Sequence, residues 1–157
     1  MANTYTQAYF HLVFSPKYRQ SLLHRAWRNE LEKYITGIVQ NRGHKLIAIG
    51  AMPDHIHIFI GYNINQSIPE LVENIKTSSN QWINANGFTN KKFSWQKGYG
   101  AFTHSHAQLK TVAKYVNNQE VHHRAKTFKQ EYIAALKEFS ISYKKEYLFE
   151  FYEAQKD

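Results

Sequence analysis

Apolar and polar positions along the chain predict four short β-strands. In each segment, β-branched and aromatic residues are frequent, and one set of alternate positions is apolar, as expected for strands that bury one face. The segments are YTQAYFHLVF (5–14), KLIAIGAM (45–52), HIHIFIGY (55–62) and YGAFTH (99–104). The tight Pro53-Asp54 turn between the second and third segments predicts an antiparallel hairpin.

Between and after these strands, apolar residues recur at helical spacing and are bounded by residues typical of helix ends. The first predicted helix covers 27–42 and is followed by Gly43. The second begins after Ser67 and runs to Asn86-Gly87. A third is predicted over 106–122, and a fourth begins after Thr127 and carries Tyr132, Leu136 and Phe139.

The first six elements follow the order strand, helix, strand, strand, helix, strand. This order matches the split βαβ arrangement of the ferredoxin-like fold, an antiparallel four-stranded sheet with helices on one face. A chain of 157 residues is long enough for one core and too short for two comfortable domains. We therefore predict a single α+β domain over 1–157 with additional C-terminal helices.

The charge balance favours an anionic partner. Twenty Lys and Arg against twelve Asp and Glu give a formal net charge of +8, which favours nucleic acid first and an anionic membrane surface second. The absence of cysteine excludes disulfides and cysteine-based zinc sites. The N-terminal segment lacks the features of a secretory signal, and no apolar run approaches a membrane span, so we expect a cytoplasmic protein.

The third predicted strand carries the first candidate chemistry. His55 and His57 share one face, and the isoleucines between and beyond them share the other. Two imidazoles about 6.5 Å apart along a strand can both bend onto one metal ion. A half-buried strand whose polar face happens to carry histidine is the simpler interpretation, and spacing alone favours it over the metal site.

The predicted helix over 106–122 carries a second candidate pair. Tyr115 and Gln119 are four residues apart and therefore neighbours on one face, beside an apolar stripe formed by Leu109, Val112 and Val116. Taken alone, such a pair is usually only partly exposed surface.

Together, the HIH strand, the YVNNQ segment (115–119) and the basic ferredoxin-like domain resemble the single-tyrosine HUH transposases of the insertion-sequence 200/605 type, and their relatives associated with repetitive extragenic palindromes. The similarity extends from YFHLVFSPKYR through MPDHIHIFI and KYVNNQ to EYIAALKEFSISYKKEYLF. It implies an enzyme that recognises hairpins at element ends, then cuts and rejoins single-stranded DNA through a 5′-phosphotyrosine intermediate.

The resemblance also implies residue roles. His55 and His57 would be metal ligands, Gln119 would be the third ligand through its amide oxygen, and Tyr115 would be the nucleophile. The cofactor would be Mg²⁺ or Mn²⁺. The enzyme would be a homodimer in which the tyrosine helix can pack against the partner's HUH strand, so that a complete site needs both chains.

Elementary chemistry is compatible with those roles. A phenol is a poor nucleophile at neutral pH, but it can attack a phosphate that a metal has polarised. Two imidazoles and one amide oxygen leave coordination positions open, as a catalytic metal site requires.

The remaining histidines are weaker candidates. His104 and His106 repeat the H-x-H spacing at a strand-to-helix junction, which we interpret as a polar cap region. His122 and His123 follow the tyrosine helix, where the helix dipole is sufficient to explain them. His11 on the first strand is given no role.

Basic residues near two loops are candidates for DNA contact. The segment NKKFSWQKGYG interleaves lysines with aromatic rings, which suits a single strand, although a solvated loop with rings in the core fits the same pattern. The candidates are Lys17, Arg19, Lys91, Lys92 and Lys97.

Two other functions share parts of this pattern. A ferredoxin-like nucleic-acid-binding module could stack bases on aromatic residues of an open sheet without strand transfer. A domesticated relative could nick and join host repeats with the same site, and only the genomic flanks would distinguish it from a mobile element's enzyme.

Overall fold

The computed structural model describes residues 3–18, 22–123 and 125–152, and these contain four strands and five helices. The strands are β1 (Tyr9–Phe14), β2 (Lys45–Met52), β3 (His55–Gly61) and β4 (Gly100–His104). The helices are α1 (Arg25–Asn41), α2 (Ile68–Asn86), α3 (Leu109–Asn117), α4 (Gln119–His122) and α5 (Phe128–Glu138).

The strands form one antiparallel sheet in the order β2-β3-β1-β4. β3 is an inner strand, and its His57 pairs with Val13 of β1 on one side and with Gly50 of β2 on the other. This order is that of the ferredoxin-like arrangement, so the predicted α+β class is confirmed.

One face of the sheet packs against α1 and α2. Ile56, Ile58 and Ile60 of β3 are fully buried in this core, and burying each contributes about 1.5–3 kcal/mol. The helices contribute the apolar stripes that the sequence predicted, namely Trp27, Leu31, Ile35, Val39, Leu71, Val72, Ile75 and Ile83. The alternation along β3 therefore turns its histidines toward the opposite face.

That opposite face is also covered, by α3 and α5. Val116 of α3 packs on Ala48 and Phe59, and Tyr132 of α5 contacts β4 at Phe102. Phe59 is 0% exposed and Phe102 is 3% exposed. The two sheet aromatics are therefore not available to stack bases, which argues against the module with an open sheet.

Helix ends agree with the sequence at several positions. The Ser67 hydroxyl accepts from the Glu70 N–H, and Thr127 and Gln130 cap each other reciprocally. Gly87, which follows α2, has a φ of 64°, the left-handed conformation that favours glycine at a helix C-terminus.

Two predicted elements differ from the structure by more than one or two residues at an end. β1 begins at Tyr9 and not at residue 5; Tyr5 is 96% exposed and has no strand neighbour to cover it. The predicted helix over 106–122 is instead a 3₁₀ turn over 106–108 followed by α3 and α4, because Asn118 (φ −105°, ψ 28°) leaves the helical conformation. Asparagine has weak helix propensity, since its side chain competes for backbone hydrogen bonds.

The basic aromatic loop before β4 differs from the single-strand contact that the sequence suggested. Phe93 and Trp95 are 0% and 5% exposed and belong to the core. The Trp95 indole N–H donates to the Ser79 hydroxyl at 2.9 Å. Lys91 and Lys92 remain exposed, so DNA could contact the lysines of this loop but not the rings of Phe93 and Trp95.

Gly50 allows α3 to approach β2 closely. A Cβ at this position would lie 2.4 Å from the carbonyl oxygen of Val116, which is a backbone atom. Gly50→Ala should therefore displace α3 and lower the free energy of unfolding by about 1–3 kcal/mol, as measured by urea denaturation.

Gly37→Ala is the matched control for Gly50→Ala. Gly37 lies inside α1, and a Cβ added there would meet no atom within 4 Å, so alanine should stabilise the protein by about 0.5–1 kcal/mol. Equal effects of the two substitutions would contradict a close α3–β2 contact at Gly50.

Candidate metal and nucleophile site

The two histidines of β3 are buried, and the Nδ1 atom of each ring lies within hydrogen-bonding distance of a neighbouring side chain. His55 Nδ1 donates to Asp54 Oδ1 at 2.7 Å, and His57 Nδ1 lies 2.6 Å from His11 Nε2. The Nε2 atoms of both rings point toward a cluster of polar side chains between α3 and α5. Histidine ligands of metals are commonly held in this way, with the ring nitrogen that does not bind the metal hydrogen-bonded to a neighbouring group.

α3 and α4 bring the predicted nucleophile and amide to the same place. The Tyr115 ring centroid lies 5.9 Å from that of His57. Gln119 donates from Nε2 to the Tyr115 carbonyl at 3.1 Å, and its Oε1 lies 3.4 Å from His55 Nε2. A single chain thus brings His55, His57, Tyr115 and Gln119 together, and this arrangement uses no residue from a second chain.

An ion pair connects α4 to α1 and so helps to place Gln119. Glu120 Oε1 lies 3.3 Å from Arg25 Nη2 and 3.8 Å from Arg28 Nη2. The Arg28 guanidinium is buried and also donates to the Leu23 carbonyl at 3.1 Å, so it is held rigidly.

Sequence reasoning missed two residues of the cluster, His123 and Glu131. Glu131 Oε1 accepts from His57 Nε2 at 2.8 Å, and Glu131 Oε2 accepts from the Tyr115 hydroxyl and lies 3.3 Å from His123 Nε2. His123 Nε2 also donates to Gln119 Oε1 at 2.9 Å. The helix-dipole interpretation of His123 was therefore wrong, because its ring contacts site residues.

The sequence contains a signal for each of these residues. Tyr115, Gln119 and His123 recur at intervals of four, which is the spacing of one helix face even though Asn118 interrupts the helix. Glu131 lies next to Tyr132 and three residues after Phe128, so a carboxylate falls on the buried face of α5. A charged residue at a core position is a marker of a functional or paired group.

Four donor groups are close enough to hold one ion. One ligand atom from each of His55, His57, His123 and Glu131 lies within 4.8 Å of the others. These residues and the neighbouring Gln119 offer nitrogen and oxygen donors only, which suits a divalent cation of intermediate or hard character.

Hydrogen-bond accounting supports a cation at this point. His55 Nδ1 donates to Asp54, and in the neutral tautomer with its proton on Nδ1, the form that can bind a metal through Nε2, the Nε2 atom offers a lone pair. It faces two further acceptors, Gln119 Oε1 at 3.4 Å and Glu131 Oε1 at 3.6 Å. In that tautomer three lone pairs converge with no proton between His55 and its neighbours, an arrangement that a metal ion stabilises, so these residues fit a metal site.

Burial and the Glu131 charge set the titration behaviour. Burial lowers the pKa of His57 to about 4, although Glu131 opposes that shift, and burial together with His57 lowers the pKa of His11. Burial alone would raise the pKa of Glu131, but hydrogen bonds from His123 and His57 hold it well below its ordinary value. Glu131 is therefore ionised and accepts hydrogen bonds from both imidazoles.

The pKa values of Tyr115 and His123 are shifted upward, in contrast to those of His57 and His11. Burial, the Glu131 charge and the hydrogen bond to Glu131 raise the pKa of the Tyr115 phenol well above its ordinary value. Burial would lower the pKa of His123, but its hydrogen bond to Glu131 and the charge of that carboxylate raise it. In the metal-free chain Tyr115 is therefore a protonated phenol that needs activation.

Two of the predicted DNA-contact residues, Lys17 and Lys97, lie near the start of β3 in the structure. Lys17 lies two residues after Ser15, whose hydroxyl donates to the Asp54 carbonyl at 2.7 Å. Lys17 is therefore close to the start of β3. Lys97 follows Gln96, whose amide donates to the Pro16 carbonyl at 2.9 Å. Lys97 is therefore near the same end of the sheet as Lys17. Lys91 and Lys92 are exposed on the loop after α2, and Arg19 lies outside the described residues.

The second H-x-H pair lies beside the cluster. His106 Nδ1 lies 3.0 Å from the Tyr9 hydroxyl, and the His104 ring centroid is 6.0 Å from that of His11. The Gln108 amide oxygen accepts from the Ser105 N–H at 3.0 Å, as the predicted capping box requires. Neither ring belongs to the group of donors within 4.8 Å.

Comparison with known proteins identifies the family. Residues 4–119 match the family model described as "Transposase IS200 like". The chain belongs to the IS200-like transposase family. A curated relative, the ISDra2 transposase TnpA of Deinococcus radiodurans, is 25% identical over 118 residues, which cover 72% of this chain and 84% of the relative.

Solved structures of transposases share the fold. A transposase from Deinococcus radiodurans superposes with a TM-score of 0.61 at 23% identity, covering 76% of this chain and 95% of that one. A REP-associated tyrosine transposase bound to a REP hairpin superposes with a TM-score of 0.57 at 17% identity, covering 78% and 73%. The family match ends at Gln119, so His123 and Glu131 lie beyond it.

Metal-free protein should lose stability as the pH falls from about 6.5 toward about 4. Unfolded His57 takes up a proton near its ordinary pKa of 6.5, whereas the folded ring does so only near a pKa of about 4. The unfolded state therefore binds more protons in this window, and acid should remove about 2–3 kcal/mol, measured by urea unfolding in chelator.

His57→Gln should reduce the slope of this pH dependence without abolishing it, because the pKa of His11 is also lowered by burial, whereas His24→Gln, at an exposed position, should preserve the slope. His123, whose pKa is raised, acts in the opposite sense and is present in both variants. The same slope in His57→Gln as in the unsubstituted protein would show that His57 is not the buried neutral group described here.

Proposed function

We propose that this chain is a metal-dependent transposase that cuts and rejoins single-stranded DNA at insertion-sequence ends through a 5′-phosphotyrosine on Tyr115. The observation that carries the proposal is the position of the Tyr115 hydroxyl. It shares the Glu131 carboxylate with His57, so a nucleophile of the required type lies beside a cluster of metal-compatible donors. Membership of a transposase family supports the same reaction.

His55, His57 and Gln119 would hold the cation, which we propose to be Mg²⁺ or Mn²⁺. When bound, the ion would polarise a phosphate oxygen and neutralise charge that develops during displacement. The chain positions these donors through Asp54 on His55 and His11 on His57. His123 would orient the Gln119 oxygen through its 2.9 Å hydrogen bond.

The covalent step is a displacement at phosphorus by the phenolic oxygen of Tyr115. The new bond joins that oxygen to phosphorus, the bond from phosphorus to the 3′ oxygen breaks, and the proton lost by the phenol balances the proton taken up by the departing 3′ oxygen. Because the phosphodiester is exchanged for a phosphotyrosine ester, a free 3′-OH can later reverse the step without ATP.

We propose that the substrate is single-stranded DNA with a hairpin near each element end. A fold relative has been solved with a REP hairpin bound, and the net charge of +8 favours phosphate binding. Lys17 and Lys97 lie near the end of the sheet where β3 begins and are the best-placed candidates for backbone contact. Lys91 and Lys92, exposed on the loop after α2, are further candidates, and Arg19 remains a candidate from the sequence alone.

We also propose a homodimer in which each chain holds its own nucleophile and metal ligands. The close approach of α3 to Gly50 supports catalysis within one chain, because Tyr115 is held on α3 beside His57 of that chain.

Within the described residues no helix is both long and apolar enough to cross a membrane.

A covalent-adduct assay tests the reaction directly. Protein incubated with Mn²⁺ and single-stranded oligonucleotides from both flanks of its gene should give a protein–DNA band that survives a denaturing gel. Chelator should abolish the band, and Tyr115→Phe should abolish it without loss of DNA binding. Tyr147→Phe, at a tyrosine that is 80% exposed, is the matched control and should retain the band.

Binding of a hairpin oligonucleotide without any metal-dependent band would contradict strand transfer. In that case the chain would be a nucleic-acid-binding module that keeps the fold, and the site residues would serve structure alone.

A mixing experiment tests assembly within one chain. His57→Ala and Tyr115→Phe chains are co-refolded, and adduct formation is compared with each variant alone. Because both groups are expected to act in the same chain, the mixed dimers should form no adduct. Restored adduct would show that the tyrosine of one chain serves the histidines of its partner.

A further inference from the structure

Glu131 lies between the nucleophile and the metal-binding histidines, and neither the family match nor the proposed ligand set includes it. One carboxylate oxygen accepts from the Tyr115 hydroxyl, and the other accepts from His57 Nε2 and lies 3.6 Å from His55 Nε2. The side chain is only 10% exposed. Burying an ionised carboxylate lowers the stability of the fold unless both oxygens have hydrogen-bond, ionic or metal partners. Glu131 therefore requires such partners at this position.

α5 holds this carboxylate in place. The Phe128 ring stacks on the His55 ring with a centroid distance of 4.2 Å and an interplanar angle of 1°. Tyr132 and Leu136, on the same face of α5, are buried against the sheet and Phe149. Glu131 therefore lies on a helix that is packed against the rest of the fold.

In the tautomer of His55 that carries its proton on Nδ1, no proton lies between His55 Nε2 and Glu131 Oε1, which are 3.6 Å apart. Glu131 Oε1 receives the His57 proton, but His55 Nε2 and Gln119 Oε1 bring further lone pairs to the same point. A cation there would replace the His57 proton and would leave Glu131 Oε2 free to keep its hydrogen bond from Tyr115.

We propose that Glu131 is a further protein ligand of the site cation, with one oxygen directed to the ion and the other retained on the Tyr115 hydroxyl. This inference rests on the proposed function and deepens it. The segment after Gln119 would then add a negative charge to a neutral set of two imidazoles and an amide. A carboxylate favours Mg²⁺ or Mn²⁺, and its bridge would couple the position of the nucleophile to the metal.

Metal binding by the DNA-free full-length chain tests the proposal without reference to activity. Mn²⁺ is titrated and the free ion is followed by its electron paramagnetic resonance signal. Glu131→Gln should weaken Mn²⁺ binding by at least about tenfold, on the scale found when metal-supporting residues are lost. Glu138→Gln removes the same charge from an exposed position on the same helix and should change affinity less than about twofold.

A second readout uses the unsubstituted protein and so does not depend on how a variant folds. In protein labelled at glutamate side-chain carboxyl carbons, saturating Mg²⁺ should shift the Glu131 resonance and leave that of Glu138 in place. An unshifted Glu131 resonance, or Mn²⁺ affinity unchanged in Glu131→Gln, would overturn the proposal.

These outcomes are separable from failure of the proposed function. Tyr115→Phe should bind Mn²⁺ like the unsubstituted chain, because the phenol is not a ligand. A Tyr115-dependent adduct with Glu131-independent Mn²⁺ binding would remove only the Glu131 ligand. Glu131-dependent Mn²⁺ binding without any adduct would remove only the transposase reaction.

Discussion

The buried carboxylate of Glu131 connects the three parts of the chain that form the site. It accepts from Tyr115 of α3 and from His57 of β3, and it lies 3.3 Å from His123, which follows α4. An ionised group in a low-dielectric interior is stable only with such partners, so the hydrogen bonds and the packing of α3 and α5 depend on each other. The Tyr115 hydroxyl and the imidazoles are consequently placed together in the DNA-free chain.

The sheet makes this arrangement possible through simple alternation. Ile56, Ile58 and Ile60 bind β3 to the α1 and α2 layer, which forces His55 and His57 to the other face. That second face is covered by α3 and α5, and polar side chains remain where the two helices meet. The match to the transposase family model extends to Gln119, and α5, which carries Glu131, lies after the matched residues.

Local patterns predicted much of the fold, and long-range contacts account for what they missed. Capping at Ser67 and Thr127 depends on residues three apart, and the HIH alternation depends on residues two apart, so the sequence displays both directly. The contact between His57 and Glu131 spans 74 residues and depends on how α5 folds back. Burial of Phe93 and Trp95 likewise depends on tertiary packing, and a basic aromatic loop looks the same in sequence whether its rings face a core or a nucleic acid.

The most direct test of the central claim is to locate the DNA on the protein. Protein–DNA adduct formed with Mn²⁺ is digested with nuclease and protease, and the peptides are sequenced by tandem mass spectrometry. We expect a nucleotide phosphate on the peptide that contains Tyr115, linked through its phenolic oxygen. A nucleotide on another residue, or no modified peptide under conditions where hairpin DNA is bound, would contradict Tyr115 as the nucleophile of a strand-transfer enzyme.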